Sequence, residues 1–177
     1  GLWQAMSTGL PANSSVVGLL TDPRNESSVI AVLDGLGASS VRPPLVMRSR
    51  DGGATWTPAA RGIPNLSPTA WALDPNSPDT VLIASDSYFL RSTDDGLSWQ
   101  ITEIRNGNHQ TIAVSPADTA TIYLGGLPAL RSTDAGRTWT EFPALLPGQE
   151  QQSSDVVGLV IDPGEPKHIW AALAMGG

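Results

Sequence analysis

Ser49-Arg50-Asp51-Gly52-Gly53-Ala54-Thr55-Trp56 reads as a chain reversal, and it returns as Ser92-Thr93-Asp94-Asp95-Gly96-Leu97-Ser98-Trp99 and as Ser132-Thr133-Asp134-Ala135-Gly136-Arg137-Thr138-Trp139. The shared pattern is S-x-D-x-G-x-[ST]-W. Its aspartates stand 43 and then 40 residues apart, a period that in a β-rich chain means one small sheet per repeat. Each Asp lies where a hairpin reverses, and its short carboxylate is expected to accept backbone N–H groups one to three residues further on. Gly53, Gly96 and Gly136 follow two residues later, at a position suited to positive φ, which a residue carrying a Cβ adopts only at a cost. Ser49, Ser92 and Ser132 offer a hydroxyl that ties the incoming strand to the turn. Trp56, Trp99 and Trp139 place a large apolar plate on the outgoing strand.

Outward from these reversals a second element recurs. Short apolar runs at 16–20, 69–73, 111–114 and 156–161 end in Asp22-Pro23, Asp74-Pro75, Ser115-Pro116 and Asp162-Pro163, where proline presets φ for a turn. Each is followed by a further β-rich run, at 29–33, 80–85, 121–125 and 168–173, and a third strand leads into each reversal. The order predicts an all-β chain of four-stranded antiparallel blades, the unit of a β-propeller. Expected segments are 1–10 as the outer strand of a preceding blade, 14–60, 66–103 and 109–143 as whole blades, and 155–177 as the first two strands of another. On this count the chain is an arc of a larger propeller, whose open ends call for further blades or a partner.

Composition agrees with that class. The chain has 177 residues, 40% hydrophobic and 15% charged, with Gly 18 and Pro 15 marking many turns. A net charge of -7 argues against nucleic acid, whose phosphates it would repel. No apolar run reaches the roughly 18 residues of a membrane-spanning helix. Cysteine is absent, so neither a disulfide framework nor a thiol nucleophile is available.

The three reversals resemble the Asp-box, or BNR repeat, of β-propellers such as sialidases, sortilin-type receptor domains, xyloglucan-cleaving glycosidases and photosystem assembly factors. The resemblance implies that the Ser, Asp, Gly and Trp residues of the reversals are structural and lie on a rim away from any substrate. It also implies an extracytoplasmic setting. A calcium-loop reading of the same aspartates lacks the alternating oxygen donors and the closing Glu.

Chemistry is therefore sought on the opposite side. Asp34 and Asp86 end second strands and are the candidate acids, since paired carboxylates can divide acid and base roles. The connection Gly35–Pro44, which carries Arg42, is enlarged by about ten residues and, with Asp86-Ser87-Tyr88, is the candidate binding surface. Arg48, Arg91 and Arg131 precede the Ser of each reversal and read as structural or solvated. His109 and His168 stand alone, without metal-ligand spacing, and are expected at the surface. Trp71 and Trp170 read as core or as sugar platforms. No metal or cofactor is expected. The reading is a non-enzymatic scaffold for protein recognition or assembly, with protein or further blades as partner and carbohydrate as another. Its alternatives are a glycoside hydrolase or sialidase-like enzyme and a passive structural subunit of a large extracytoplasmic complex.

Overall fold

The computed structural model describes residues 4–12, 14–34, 45–59, 62–64, 66–142 and 155–174. The enlarged connection at 35–44, with Arg42, lies outside them, as does Trp3. The described residues form three four-stranded antiparallel sheets and one two-stranded sheet. The first contains β1 (Ser15–Asp22), β2 (Asn25–Asp34), β3 (Val46–Ser49) and β4 (Thr57–Pro58). The second contains β5 (Ala70–Leu73), β6 (Val81–Ala84), β7 (Tyr88–Ser92) and β8 (Gln100–Glu103), and the third β9 (Thr111–Val114), β10 (Ile122–Gly125), β11 (Leu130–Ser132) and β12 (Thr140–Glu141). The last pairs β13 (Asp155–Ile161) with β14 (Ile169–Ala174). In every whole sheet the strands lie in chain order, as hairpin connections require. The first strands touch in series, β1 with β5, β5 with β9 and β9 with β13, so they form the inner side of the arc.

The middle strands are buried on both faces. β6 and β10 have no exposed residue, and their runs Val-Leu-Ile-Ala and Ile-Tyr-Leu-Gly are continuously apolar apart from the terminal glycine. One core joins the first two sheets through Ile30, Val32, Val46, Val81, Ile83 and Leu90. A second joins the next pair through Leu82, Phe89, Ile122, Leu124 and Leu130. A third lies on the other face of the first sheet, where Ala31, Leu33, Met47 and Trp56 meet Leu10. Burial therefore lies chiefly between sheets, which is why one such sheet is not stable alone.

Close approach of the inner strands needs small residues. Val16-Val17-Gly18 and Val156-Val157-Gly158 carry the same register shift, and a Cβ on Gly18 would collide with the indole of Trp71. Trp71 is thus a core residue, packed between the first two sheets. Trp170 differs. It is paired with Val160 as Ile30 is with Leu20, Leu82 with Ala72 and Tyr123 with Ala113. Ile30, Leu82 and Tyr123 are buried against the following sheet, whereas Trp170 is 57% exposed. Val160 beside it and Leu19 at the other end of the arc are exposed too. Both end faces of the described arc are apolar.

Candidate functional site

Every strand order above puts the reversals and the Pro turns at one end of the sheets, and the β2–β3, β6–β7 and β10–β11 connections at the other. The two ends differ in chemistry.

At the first end, the three reversals share one hydrogen-bond pattern. Ser49 Oγ accepts from Gly53 N at 2.8 Å and donates to Asp51 Oδ1 at 2.7 Å. Asp51 then accepts Thr55 N at 2.8 Å on one oxygen and the Thr55 hydroxyl at 2.6 Å on the other. Ser92, Asp94, Gly96 and Ser98 repeat this geometry, as do Ser132, Asp134, Gly136 and Thr138. In all three the carboxylate reaches the amide four residues on, one beyond the expected range, and Asp134 also accepts from Arg137 N, three residues on, at 3.0 Å. The residue after each Asp is already left-handed, which lengthens the loop and turns the fourth amide toward the carboxylate. The three Trp residues sit just before the outgoing strands rather than within them.

That left-handed residue is Gly52 in the first reversal (φ 68°), but Asp95 (φ 58°) and Ala135 (φ 61°) in the others. Asp95 uses the conformation: its carboxylate pairs with Arg48, a buried guanidinium of the preceding sheet. Arg48 is thus a structural link between sheets, while Arg131 is exposed and lies 5.7 Å over the Tyr123 ring. Ala135 gains no comparable ion pair among the described residues. Ala135→Gly is expected to stabilise the chain by about 0.5–1 kcal/mol, because the left-handed cost of a Cβ exceeds the entropy that glycine adds to the unfolded chain. Chemical denaturation checks it, through a higher midpoint at unchanged slope.

The same bonds fix the charge. The Thr55 hydroxyl and amide, with the Ser49 hydroxyl, hold Asp51 down to about 2. The Thr138 amide and hydroxyl do the same for Asp134, also at about 2. At Asp94 burial pushes upward, but the Ser98 hydroxyl and amide outweigh it, and its carboxyl is lowered. A depressed acid contributes stability that is complete above its unfolded value near 4 and disappears as pH falls through the folded value. The melting temperature should therefore drop steeply between about pH 4 and pH 2. The double variant Asp51→Asn, Asp134→Asn, compared with the parent over that range, should give a flatter curve.

At the second end, Asp34 closes β2 opposite Ser15, half-buried, with Oδ1 buried and without a partner among the described residues. Asp86 is exposed in the β6–β7 bend. Its carbonyl accepts Gly107 N at 3.0 Å, and Ser87 Oγ donates to Asn106 Oδ1 at 3.2 Å, so the bend is braced by the 104–107 segment. Tyr88 is half-buried and packs on the first core. No hydrogen bond or ion pair joins Asp34 to Asp86 among the described residues.

His109 corrects the surface expectation: it is 0% exposed. Its Nε2 lies 3.1 Å from the Arg105 carbonyl, so this nitrogen carries the proton, and Nδ1 is buried without a partner among the described residues. The burial depends on two glycines. A Cβ on Gly107 would crowd the imidazole and the Leu127 carbonyl, and one on Gly126 would strike the Asn108 carbonyl. His168 is exposed, as expected, 3.0 Å from Glu165.

The structure also gathers residues that sequence reasoning missed. Asp155, at the start of β13, accepts Asn108 Nδ2 at 3.2 Å and Gln110 Nε2 at 3.3 Å on Oδ2, while its Oδ1 is buried and has no partner among the described residues. The only signal was its position, immediately before the Val-Val-Gly run shared with β1. No group of three or more His, Cys, Asp or Glu among the described residues is placed to hold a metal ion. No helix among them is long and apolar enough to cross a membrane.

Comparison with known proteins places this arrangement. No family model matches the chain. A xyloglucanase from a Paenibacillus species is 36% identical over 121 residues of alignment, covering 51% of this chain and 12% of that protein. Among solved structures, an ancestral GH74 enzyme superposes with a TM-score of 0.71 at 17% identity, over 94% of this chain and 23% of its own. YCF48 bound to a D1 peptide superposes with a TM-score of 0.58 at 18% identity, over 89% of this chain and 47% of its own. The chain spans less than half the length of each of these proteins. With its four-stranded antiparallel sheets set side by side, it has the all-β fold of β-propeller blades and matches a fragment of larger propeller proteins.

Proposed function

We propose that the chain is a glycan-handling segment of a β-propeller of the glycoside hydrolase kind, acting outside the cytoplasm, with the end that carries Asp34, Asp86 and Tyr88 as its working face. The 36% identity with a xyloglucanase carries this reading, and the superposition on a GH74 enzyme supports it. It favours the glycosidase alternative over the non-enzymatic scaffold. In this reading the reversals are Asp-boxes whose aspartates are fully engaged in clamping backbone. The half-buried carboxylate of Asp34 and the solvent-facing carboxylate of Asp86 are the groups left to meet sugar hydroxyls or share acid and base roles. Tyr88, half-buried beside Asp86, completes the binding surface.

Affinity electrophoresis of the chain in gels containing xyloglucan tests it. Retardation is expected, and Asp86→Asn should weaken it about tenfold, the loss of one charge-assisted hydrogen bond. A folded chain that runs at the same speed with and without xyloglucan would overturn the reading. The protein-recognition scaffold is the second reading, favoured by the peptide-bound YCF48 structure that superposes on this chain. Asp86-dependent binding of an extended peptide, with no xyloglucan retardation, would select it.

A further inference from the structure

The indoles of the reversals follow a rule that one repeat breaks. Trp56 Nε1 donates to the carbonyl of Met6 at 2.9 Å, and Trp99 Nε1 is shared between that of Ala59 at 3.0 Å and that of Gly96, in its own reversal, at 2.9 Å. Met6 and Ala59 each stand three residues after the Trp of the preceding repeat, Trp3 and Trp56. The rule stitches each reversal to the segment three residues past the preceding Trp, and it assigns Trp139 the carbonyl of Thr102. Trp139 Nε1 keeps the bond within its own reversal, to Gly136 O at 3.1 Å, as Trp99 does to Gly96 O at 2.9 Å, but makes no cross-blade bond among the described residues.

The cause is a larger residue beneath the indole. Phe89 stands three residues before Ser92, where Val46 stands before Ser49. Its ring meets Trp139 edge-on with centroids 4.8 Å apart and occupies the space where a Cβ on Gly136 would be. The second and third blades therefore do not zip together at their outer strands. A cleft of about 240 Å³ opens there instead, with Thr102 and Trp139 both in its walls. Glu103, Arg105, Arg137 and Glu141 line it as well, and Arg105 is ion-paired with Glu141 across the gap between β8 and β12.

We propose that this rim cleft binds a single sugar ring. A sugar hydroxyl is both donor and acceptor, so one hydroxyl can share the Trp139 indole N–H with the Gly136 carbonyl, as Ala59 shares that of Trp99 with Gly96, while donating to the Thr102 carbonyl in place of the missing stitch. Arginine and glutamate side by side present the paired donors and acceptors that vicinal hydroxyls need, beside an aromatic wall. The volume is below the roughly 300–1,000 Å³ of sites for drug-sized ligands, which suits one ring rather than a chain segment. The site lies on the rim at the outer strands, not at the face carrying Asp34 and Asp86, and its argument does not depend on that face.

Titration of the chain with glucose, xylose and cellobiose, followed by the indole N–H resonances in ¹H–¹⁵N spectra, tests the proposal. Trp139→Phe identifies the resonance by its disappearance. That resonance is expected to move saturably with at least one of these sugars, with Kd on the order of 1 mM. Glu103→Ala and Arg137→Ala, both at exposed side chains, should each weaken binding about tenfold. Asp86→Asn should leave this binding unchanged even where it abolishes xyloglucan retardation, which separates the two sites. No movement up to about 50 mM sugar, some fifty times that Kd, would overturn the proposal. So would movement unaffected by Glu103→Ala and Arg137→Ala, or saturation by a short charged peptide in place of sugar.

Discussion

Gly136→Ala is expected to destabilise the chain by about 3 kcal/mol, combining a left-handed cost of roughly 1–2 kcal/mol with overpacking of roughly 1–3 kcal/mol. Gly136 has φ 85°, and its Cβ would fall on the ring of Phe89, a fully buried residue locked against Trp139. Neither side yields easily, because the ring is in the core between the second and third sheets. Ala135→Gly, one residue earlier, should act in the opposite direction, so the pair isolates backbone conformation from general loss of the hairpin. Combining Gly136→Ala with Phe89→Val should recover about 1 kcal/mol or more of the clash as a coupling term. Equilibrium unfolding of the four chains of that cycle measures it. A coupling near zero would show that the ring and the glycine do not share space.

Ser92→Ala should cost about 2–3 kcal/mol, the penalty of a buried amide left unpaired plus the lost bonds. Ser92 is 1% exposed, and its hydroxyl accepts from Gly96 N at 2.8 Å while donating to Asp94 Oδ1 at 2.8 Å. Water cannot replace it at that depth. For a chain of this size the melting temperature should fall by roughly 4–12 °C. Thr93→Ala, at an exposed neighbour, should change it little. Asp94→Ala should also lower the melting temperature, by removing the acceptor of the Ser98 amide and hydroxyl. Any binding at the opposite end, measured in the cold, should survive it. A loss of binding without loss of stability would instead place Asp94 in a site.

Much of the architecture was legible because turn chemistry is local. Asp51, Asp94 and Asp134 meet their partners within four residues, so the pattern S-x-D-x-G-x-[ST]-W contains the whole clamp. Strand order followed from alternating turns and short apolar runs, since antiparallel neighbours joined by short connections must pair in sequence. The carboxylate reaches one residue further than turn chemistry suggested because the residue after each Asp, Gly52, Asp95 or Ala135, adopts positive φ.

What sequence could not show are contacts between sheets. His109 is an ordinary loop histidine until Gly107 and Gly126 let two connections close over it. Arg48 finds its counter-ion 47 residues away, on the next sheet. Asp155 joins Asn108 and Gln110 only because β13 lies beside β9. Trp139 looks identical to Trp56 and Trp99 in the repeat, but among the described residues it lacks their bond to the preceding blade, where one ring from the neighbouring sheet packs against it. The chain's own order thus determined the blade and its clamps, through interactions that close within a hairpin. How the blades meet, and where they leave a cleft or bury a charge, was decided by side-chain volume across interfaces, a property of pairs of residues that no single stretch contains.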